Sequence, residues 1–383
     1  MSHAILSPSS ASRWLSCTPS ARLETQYPDK AGDFAKEGTL AHEFGELWLK
    51  IHSKLIDNVR WAKRISELRK DPLYSESLEE YTGGYADFVW EKYQLAQKTT
   101  SDAVLRIEEK IDLTAYVPEG FGTGDAVILA DGTMEIIDLK YGKGVRVSAA
   151  ENKQMMLYAL GALDMFGFMY AIHTVRMTIY QPRLDNVSEW EIPVEELLMW
   201  GTSELAPRAK MAYAGEGSFV PGKHCQFCRA KAQCRALTEK NLEVAKHEFD
   251  DASLLSDNEI SKVLEQMDII KNWMSAVEEY ALQAALSGKV FPGFKLVEGR
   301  SIRKYADEKK VADRLLENGY KSDLIYEPAK LKTITAMEKL VTKKAFAAIL
   351  GDLIIKPQGK PTLVPVSDKR QEWNSAENDF KNV

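Results

Sequence analysis

The stretch AVILADGTMEIIDLKY, residues 126–141, leaves the chain few choices. Two apolar runs flank Asp131-Gly132, the dipeptide most favoured in two-residue hairpin turns, so the stretch reads as strand, turn and strand. With Asp131 and Gly132 in the turn, Ala130 faces Thr133, and counting outward brings Asp125 directly across from Asp138. Side chains alternate along a strand, so Asp138 and Lys140 share a face, and cross-strand pairing adds Asp125 to it. Two opposed carboxylates repel, and a bound cation would compensate both. Carboxylate oxygens suit a hard ion such as Mg²⁺, which binds through one or two acidic groups and keeps part of its water shell. Such an ion polarises a phosphate and acidifies a bound water, while a lysine beside it orients that water or stabilises developing charge. This is the chemistry of phosphodiester hydrolysis. The same residues also fit the wet face of an ordinary hairpin, and the residues alone leave both readings open.

The hairpin sits among segments of both periods. Residues 8–24 read as a short helix capped by Ser9 or Ser10, with Cys17 near its end. From about Thr39 to His52, Leu40, Phe44, Leu47, Trp48 and Ile51 form one apolar stripe at helical spacing. Residues 75–98 read as helix, LRIEEKIDL alternates, Asn152–Phe166 is a crossover helix, HTVRMTIYQPR is a strand, and a helix follows near Val194–Ala214. This order is α/β or α+β. Beyond Ala245 a long helix is expected from about Asn258 to Leu286, then a basic strand in FPGFKLVEGRSIRKY and helical stretches at 308–318 and 333–350. Gly319 and Gly351 would end those two stretches. The expected division is residues 1–245, an accessory α+β region 246–370 that binds DNA or a partner, and a loose tail 371–383.

The chain contains no apolar run of the roughly 18 to 20 residues that a membrane helix needs and no secretory-type start, so a cytoplasmic protein is expected. Its net charge of −6 hides an asymmetry. From Lys289 to Arg370 there are 18 Lys and Arg against 10 Asp and Glu, a surplus of 8, which leaves −14 for the remainder. A basic C-terminal region could track DNA phosphates, or could be no more than solvated helix faces.

Three of the four cysteines lie in HCQFCRAKAQC, residues 224–234, as C-x2-C-x5-C at Cys225, Cys228 and Cys234. In a reducing compartment such spacing points to metal, and structural sites close with four ligands. His224 would complete a Cys3His zinc site; a metal-free set is the remaining reading.

Taken together, G-x-x-D at Gly122–Asp125, D-L-K at Asp138–Lys140, Q-x-x-x-Y at Gln154 and Tyr158 and an upstream G-x-x-x-H at Gly38–His42 resemble the RecB-like branch of the PD-(D/E)xK nucleases. That branch includes CRISPR-associated RecB-like exonucleases and the AddAB nuclease domains. The phrases PSSASRWLSC, GTLAHEFGE, GFGTGDAVI, DLKYGKG, IYQPR, FPGFKLVEGR and GKPTLVP resemble, more closely, a phage and prophage family of RecB-like proteins catalogued as of unknown function.

The resemblance implies a restriction-endonuclease-like α/β core, a mixed central sheet flanked by helices, with N-terminal helices and an α+β C-terminal extension. It implies Asp125 and Asp138 as ligands of Mg²⁺ or Mn²⁺, Lys140 as the catalytic lysine, His42 as a further ligand or site residue, and Glu108 as the acidic ligand of the preceding strand. Alternation supports Glu108, because Glu109 would share the buried face of Ile107 and Ile111. Gly124 stands where the namesake motif has proline. Gln154 and Tyr158 lie four apart on one helical face and would position other groups. On its own helix His42 is flanked by the small residues Gly38, Ala41 and Gly45, which would let another element or DNA approach.

The RecB-like iron-sulfur nucleases join one distant N-terminal cysteine to a C-terminal triplet. The resemblance therefore implies a four-iron, four-sulfur (4Fe-4S) cluster on Cys17, Cys225, Cys228 and Cys234, with structural Zn²⁺ as the alternative. The expected activity is a metal-dependent DNA exonuclease acting on ends in phage recombination or replication. The expected partners are DNA and possible phage single-strand-binding or annealing proteins, with homo-oligomers open. The alternative is a silent DNA-end-binding or assembly protein on the same fold; a part in CRISPR spacer acquisition is a third reading.

Overall fold

A computed structural model describes residues 4–28, 33–142, 144–245 and 256–295. Two compact units divide the chain, Met1–Gly288 and Lys289–Val383. The helical stretches at 308–318 and 333–350, the basic positions from 330 to 370 and the tail from 371 lie outside the described residues. So does most of the basic strand; its first residues, Phe291 to Lys295, form a turn with Gly293 at φ +83°.

The architecture is mixed α/β, a five-stranded mixed sheet flanked by helices. The strands are β1 (Val104–Asp112), β2 (Phe121–Leu129), β3 (Gly132–Leu139), β4 (Ile172–Gln181) and β5 (Asn186–Pro193), in spatial order β1-β2-β3-β4-β5. β3 and β4 run parallel and the other pairs antiparallel. The parallel pair needs a crossover, supplied by α6 (Lys153–Phe166). Asn152 starts this helix by accepting hydrogen bonds from the Gln154 and Met155 amides. The hairpin has the register read from the turn: Ala126 pairs with Ile137, Val127 with Ile136, Ile128 with Glu135 and Leu129 with Met134. Gly132 takes φ +82°, a conformation an L side chain resists.

Alternation then sorts the hairpin into two layers. Val127, Leu129, Met134 and Ile136 face a core shared with α6, where every residue from Met155 to Ala162 is buried. Ala126, Ile128, Ile137 and Leu139 face a second core under α3 (Asp33–His52) and α5 (Glu76–Thr99), built with Leu49, Tyr85, Ala86 and Val89. α4 (Asn58–Leu68), which the sequence reading does not identify, closes a satellite cluster of Phe44, Leu47, Ile65 and Leu68.

The N-terminal segment is a 3-10 turn followed by α1 (Ala11–Ser16) and α2 (Ser20–Glu24). Ser10 stands at the cap position of α1, but its hydroxyl donates backward to the Ser7 carbonyl. The helix expected over 194–214 is α7 (Val194–Trp200) and α8 (Ala206–Ala214), joined by a π-helical turn at Gly201–Leu205 ahead of Pro207. Past the cysteine loop come α9 (Arg235–Ala245) and α10 (Asp257–Leu286). Ser256 and Glu259 form the capping box of α10. Its Tyr280 hydroxyl accepts a 2.7 Å bond from Gln233 and keeps α10 with the first unit. No helix among the described residues is long and apolar enough to cross a membrane.

Candidate metal centre and cysteine clasp

The register of the hairpin brings Asp125 and Asp138 to the same end of the sheet. Asp125 is almost wholly buried, and its Oδ2 accepts a 2.7 Å hydrogen bond from the Leu139 amide. This bond fixes the carboxylate against β3 and turns Oδ1 toward α3, where His42 Nδ1 lies 3.3 Å away. The same imidazole nitrogen is 4.0 Å from Glu108 Oε1. His42, Glu108 and Asp125 each offer one ligand atom, and these atoms all lie within 4.8 Å of one another.

Simple alternation does not account for Glu108. Glu108 and Asp125 stand opposite each other between the paired residues Ile107–Ala126 and Glu109–Gly124, yet they make no ladder pair, and Glu108 adopts φ +49°. The left-handed residue breaks the alternation: Ile107 packs in the α5 layer and Ile111 in the α6 layer, not on one face as expected. A left-handed conformation in a non-glycine residue costs about 1–2 kcal/mol, and such outliers gather at functional sites. Of the small residues near His42, Gly45 admits another element, since a Cβ there would come 3.1 Å from the Tyr85 ring of α5, whereas a Cβ at Gly38 would meet nothing within 4 Å among the described residues.

Asp138 is not in the 4.8 Å group. Its Oδ2 lies 2.8 Å from the Lys140 ammonium. Gln154 spans the pair, accepting from Lys140 Nζ at 3.1 Å while its Nε2 donates to Asp138 Oδ1 at 3.1 Å and to the Tyr158 hydroxyl at 3.3 Å. Tyr158 is buried against Gly122, where a Cβ would come 2.7 Å from its ring. The two polar residues of α6 thus orient a lysine and an aspartate.

The charges are coupled. Asp125 raises the His42 pKa to about 9, against the opposing effect of burial. Burial, with Asp125 second, pushes Glu108 up to about 8. Burial also raises Asp138, which Lys140 only partly offsets. For Asp125 burial works upward, but the His42 cation and its hydrogen bond outweigh it and leave the carboxyl below its ordinary value. Lys140 is opposed by burial and held above the usual lysine range by Asp138 and Asp125. Protons on His42 and Glu108 therefore do electrostatically what a metal ion would do. One imidazole and two carboxylates form a donor set that could hold a divalent metal ion.

Behind the lysine, Gln181 is buried and staples the loop that follows Lys140. Its Nε2 donates to the carbonyls of Gly142 and Val145, each at 2.8 Å, and its Oε1 accepts from the Val147 amide at 3.1 Å. Asn186 adds a bond to the Val147 carbonyl at 2.9 Å. Arg183 pairs with Glu37 at 2.9 Å and lies over the Tyr141 ring. Sequence reasoning takes IYQPR only as strand and family phrase; a polar Gln at the end of an apolar strand is the signal that could have found this role.

Some distance along the chain, Cys17, Cys225, Cys228 and Cys234 line one cavity, together with His224 and Arg13. Burial raises the Cys17, Cys225 and Cys228 thiols, the last to about 12. His224 Nε2 lies 2.9 Å from the Val220 carbonyl. Polar bonds hold the N-terminal helices here: Glu24 pairs with Arg13 at 2.7 Å and accepts the Arg229 amide at 2.8 Å, and Thr18 donates to the Glu216 carbonyl at 2.6 Å.

Over residues 3–371 the chain matches the family described as "Protein of unknown function (DUF2800)". It belongs to that family. Among solved structures, one titled "Crystal structure of SSO0001" matches at 18% identity and a TM-score of 0.22, covering 50% of this chain and 85% of that one. So loose a superposition carries no argument about this chain.

Proposed function

We propose that the chain is a Mg²⁺- or Mn²⁺-dependent deoxyribonuclease of the RecB-like PD-(D/E)xK class, acting on DNA ends in phage recombination or replication. The observation that carries this reading is the convergence of His42, Glu108 and Asp125 beside the Lys140–Asp138 pair at one end of the sheet. His42, Glu108 and Asp125 would hold the ion, with Asp138 at its flank. When bound, the ion supplies a Lewis acid for the scissile phosphate and an acidified water.

The remaining chemistry belongs to the side chains. Lys140 has a raised pKa and is a fixed cation at neutral pH, suited to stabilising charge that develops on the phosphate and unsuited to taking a proton. Gln154 keeps the ammonium and the Asp138 carboxylate in register, and Tyr158 braces Gln154. The four cysteines lining one cavity support a 4Fe-4S cluster that clasps the N-terminal helices to the loop before α9.

The test is digestion of linear and closed-circular DNA by anaerobically purified protein, with and without Mg²⁺ or Mn²⁺. Metal-dependent loss of linear DNA that disappears in Asp125→Ala and Lys140→Ala is the expected result. Binding of DNA ends without degradation under every metal condition would replace it with the silent end-binding reading.

A further inference from the structure

Tyr85 of α5 is only 2% exposed, and its hydroxyl oxygen has no hydrogen-bond partner among the described residues. Its place is fixed from three sides. The ring packs on the backbone of Gly45, one turn beyond His42 on α3, where a Cβ would come 3.1 Å from Cδ1 and 3.3 Å from Cε1. That same Gly45 position lies 3.6 Å from Leu139 Cδ2, and Leu139 is the residue whose amide holds Asp125. On the other side the Tyr180 ring lies 5.8 Å away at 54°. Tyr85 is thus wedged beneath the helical turn that carries His42 and beside the strand end that anchors Asp125.

A phenol buried without a partner is costly, and phenylalanine would fill the same space without that cost. The acids that reach Tyr85 electrostatically are, in order, Asp125, Glu108 and Asp138, all members of the candidate centre. A neutral O–H is the kind of donor that such a cluster can use. Metal-binding carboxylates are oriented by outer hydrogen bonds, and loss of such a partner typically weakens metal binding 10–100-fold.

We propose that Tyr85 is a positioning residue of the metal centre, its hydroxyl donating through one buried water to the carboxylates that hold the ion. This rests on the metal-dependent reading above and adds a residue to it that none of the sequence motifs contains. The hydroxyl sets carboxylate orientation and does not touch the substrate.

The test measures Mn²⁺ binding by calorimetry and the thermal midpoint of the metal-free protein, for wild type, Tyr85→Phe and Tyr93→Phe. Tyr93 lies on the same helix but donates to the Ala103 carbonyl at 3.0 Å, so it reports a purely structural hydroxyl. The expected result is an Mn²⁺ Kd weakened about tenfold in Tyr85→Phe with an unchanged or higher midpoint, and a lowered midpoint with unchanged Kd in Tyr93→Phe. A Tyr85→Phe protein with wild-type Kd overturns the inference alone, whatever its midpoint. Wild type that binds no Mn²⁺ overturns the metal reading and this inference with it.

Discussion

His42 Nδ1 sits 3.3 Å from Asp125 Oδ1, and the two residues come from the third helix and the second strand, more than eighty positions apart. The pair sets the proton economy of the site. Asp125 keeps His42 protonated up to about pH 9, and burial keeps Glu108 protonated up to about pH 8. A cation must displace both protons.

Mn²⁺ affinity should therefore strengthen as pH rises from 6 to 9, with protons released on binding. Calorimetry in two buffers of different ionisation enthalpy counts them; an affinity flat across that range contradicts the assignment. The metal-free protein should move the other way. Both groups have folded values above their unfolded ones, so the folded state holds extra protons, and stability present at low pH is lost as pH rises through about 8 and 9. Denaturant midpoints at pH 6 and pH 9.5, measured with chelator, check the sign.

Glu108 at φ +49° separates stability from function. Glu108→Ala keeps the left-handed strain and removes the carboxylate, whereas Glu108→Gly removes both. The glycine variant should be the more stable by about 1 kcal/mol, and neither should bind Mn²⁺. Equal stability of the two variants would show that the backbone there carries no strain.

If the four cysteines hold the proposed cluster, Cys17→Ala should cost as much iron and sulfide as Cys228→Ala, and His224→Ala little. Metal analysis of anaerobically purified variants decides. If His224→Ala proves the more damaging loss and zinc is the metal found, a Cys3His site replaces the cluster.

Gln181→Leu should destabilise by about 1–2 kcal/mol, because it removes the bonds by which a buried side chain holds the Val147 amide and the carbonyls of the exposed residues Gly142 and Val145. Because that loop begins at the residue after Lys140, nuclease rate should fall further than DNA affinity. Parallel measurement of kcat and KM separates the two.

The hairpin was legible because its turn chemistry and its two-residue period agree: Asp131-Gly132 sets the register, and Ala126 does pair with Ile137. Asn152 likewise announces α6. By contrast, α4 carries four charged residues around Trp61 and Ile65, and its apolar stripe is too narrow to stand out from a loop. β5 was lost because VSEWEIP alternates across an exposed edge with few aliphatic residues to mark it. Asp125, Asp138 and Gln154 on regular elements, and Lys140 one residue beyond β3, follow from spacing. Glu108 does lie beside His42 and Asp125, but alternation is an incomplete reason for its place, since a single left-handed residue is invisible to a periodicity argument. Tyr85 gave no signal, because a lone polar group inside an apolar helix face looks like noise until its neighbours are known, and the signal at Gln181, a polar residue closing an apolar strand, does not say which loop it holds.

The N-terminal helices have a temporal consequence. The carbonyl of Leu15 receives its hydrogen bond from Arg208, which is 193 residues later, and at about 5–20 residues per second synthesis takes roughly 10–40 s to cover that interval. Trp14 and Leu15, buried in the finished molecule, are made long before the Arg208 side chain that closes over the Leu15 carbonyl. On the ribosome these apolar side chains wait uncovered on that side until the residues around Arg208 emerge, an interval in which association with other chains competes with folding.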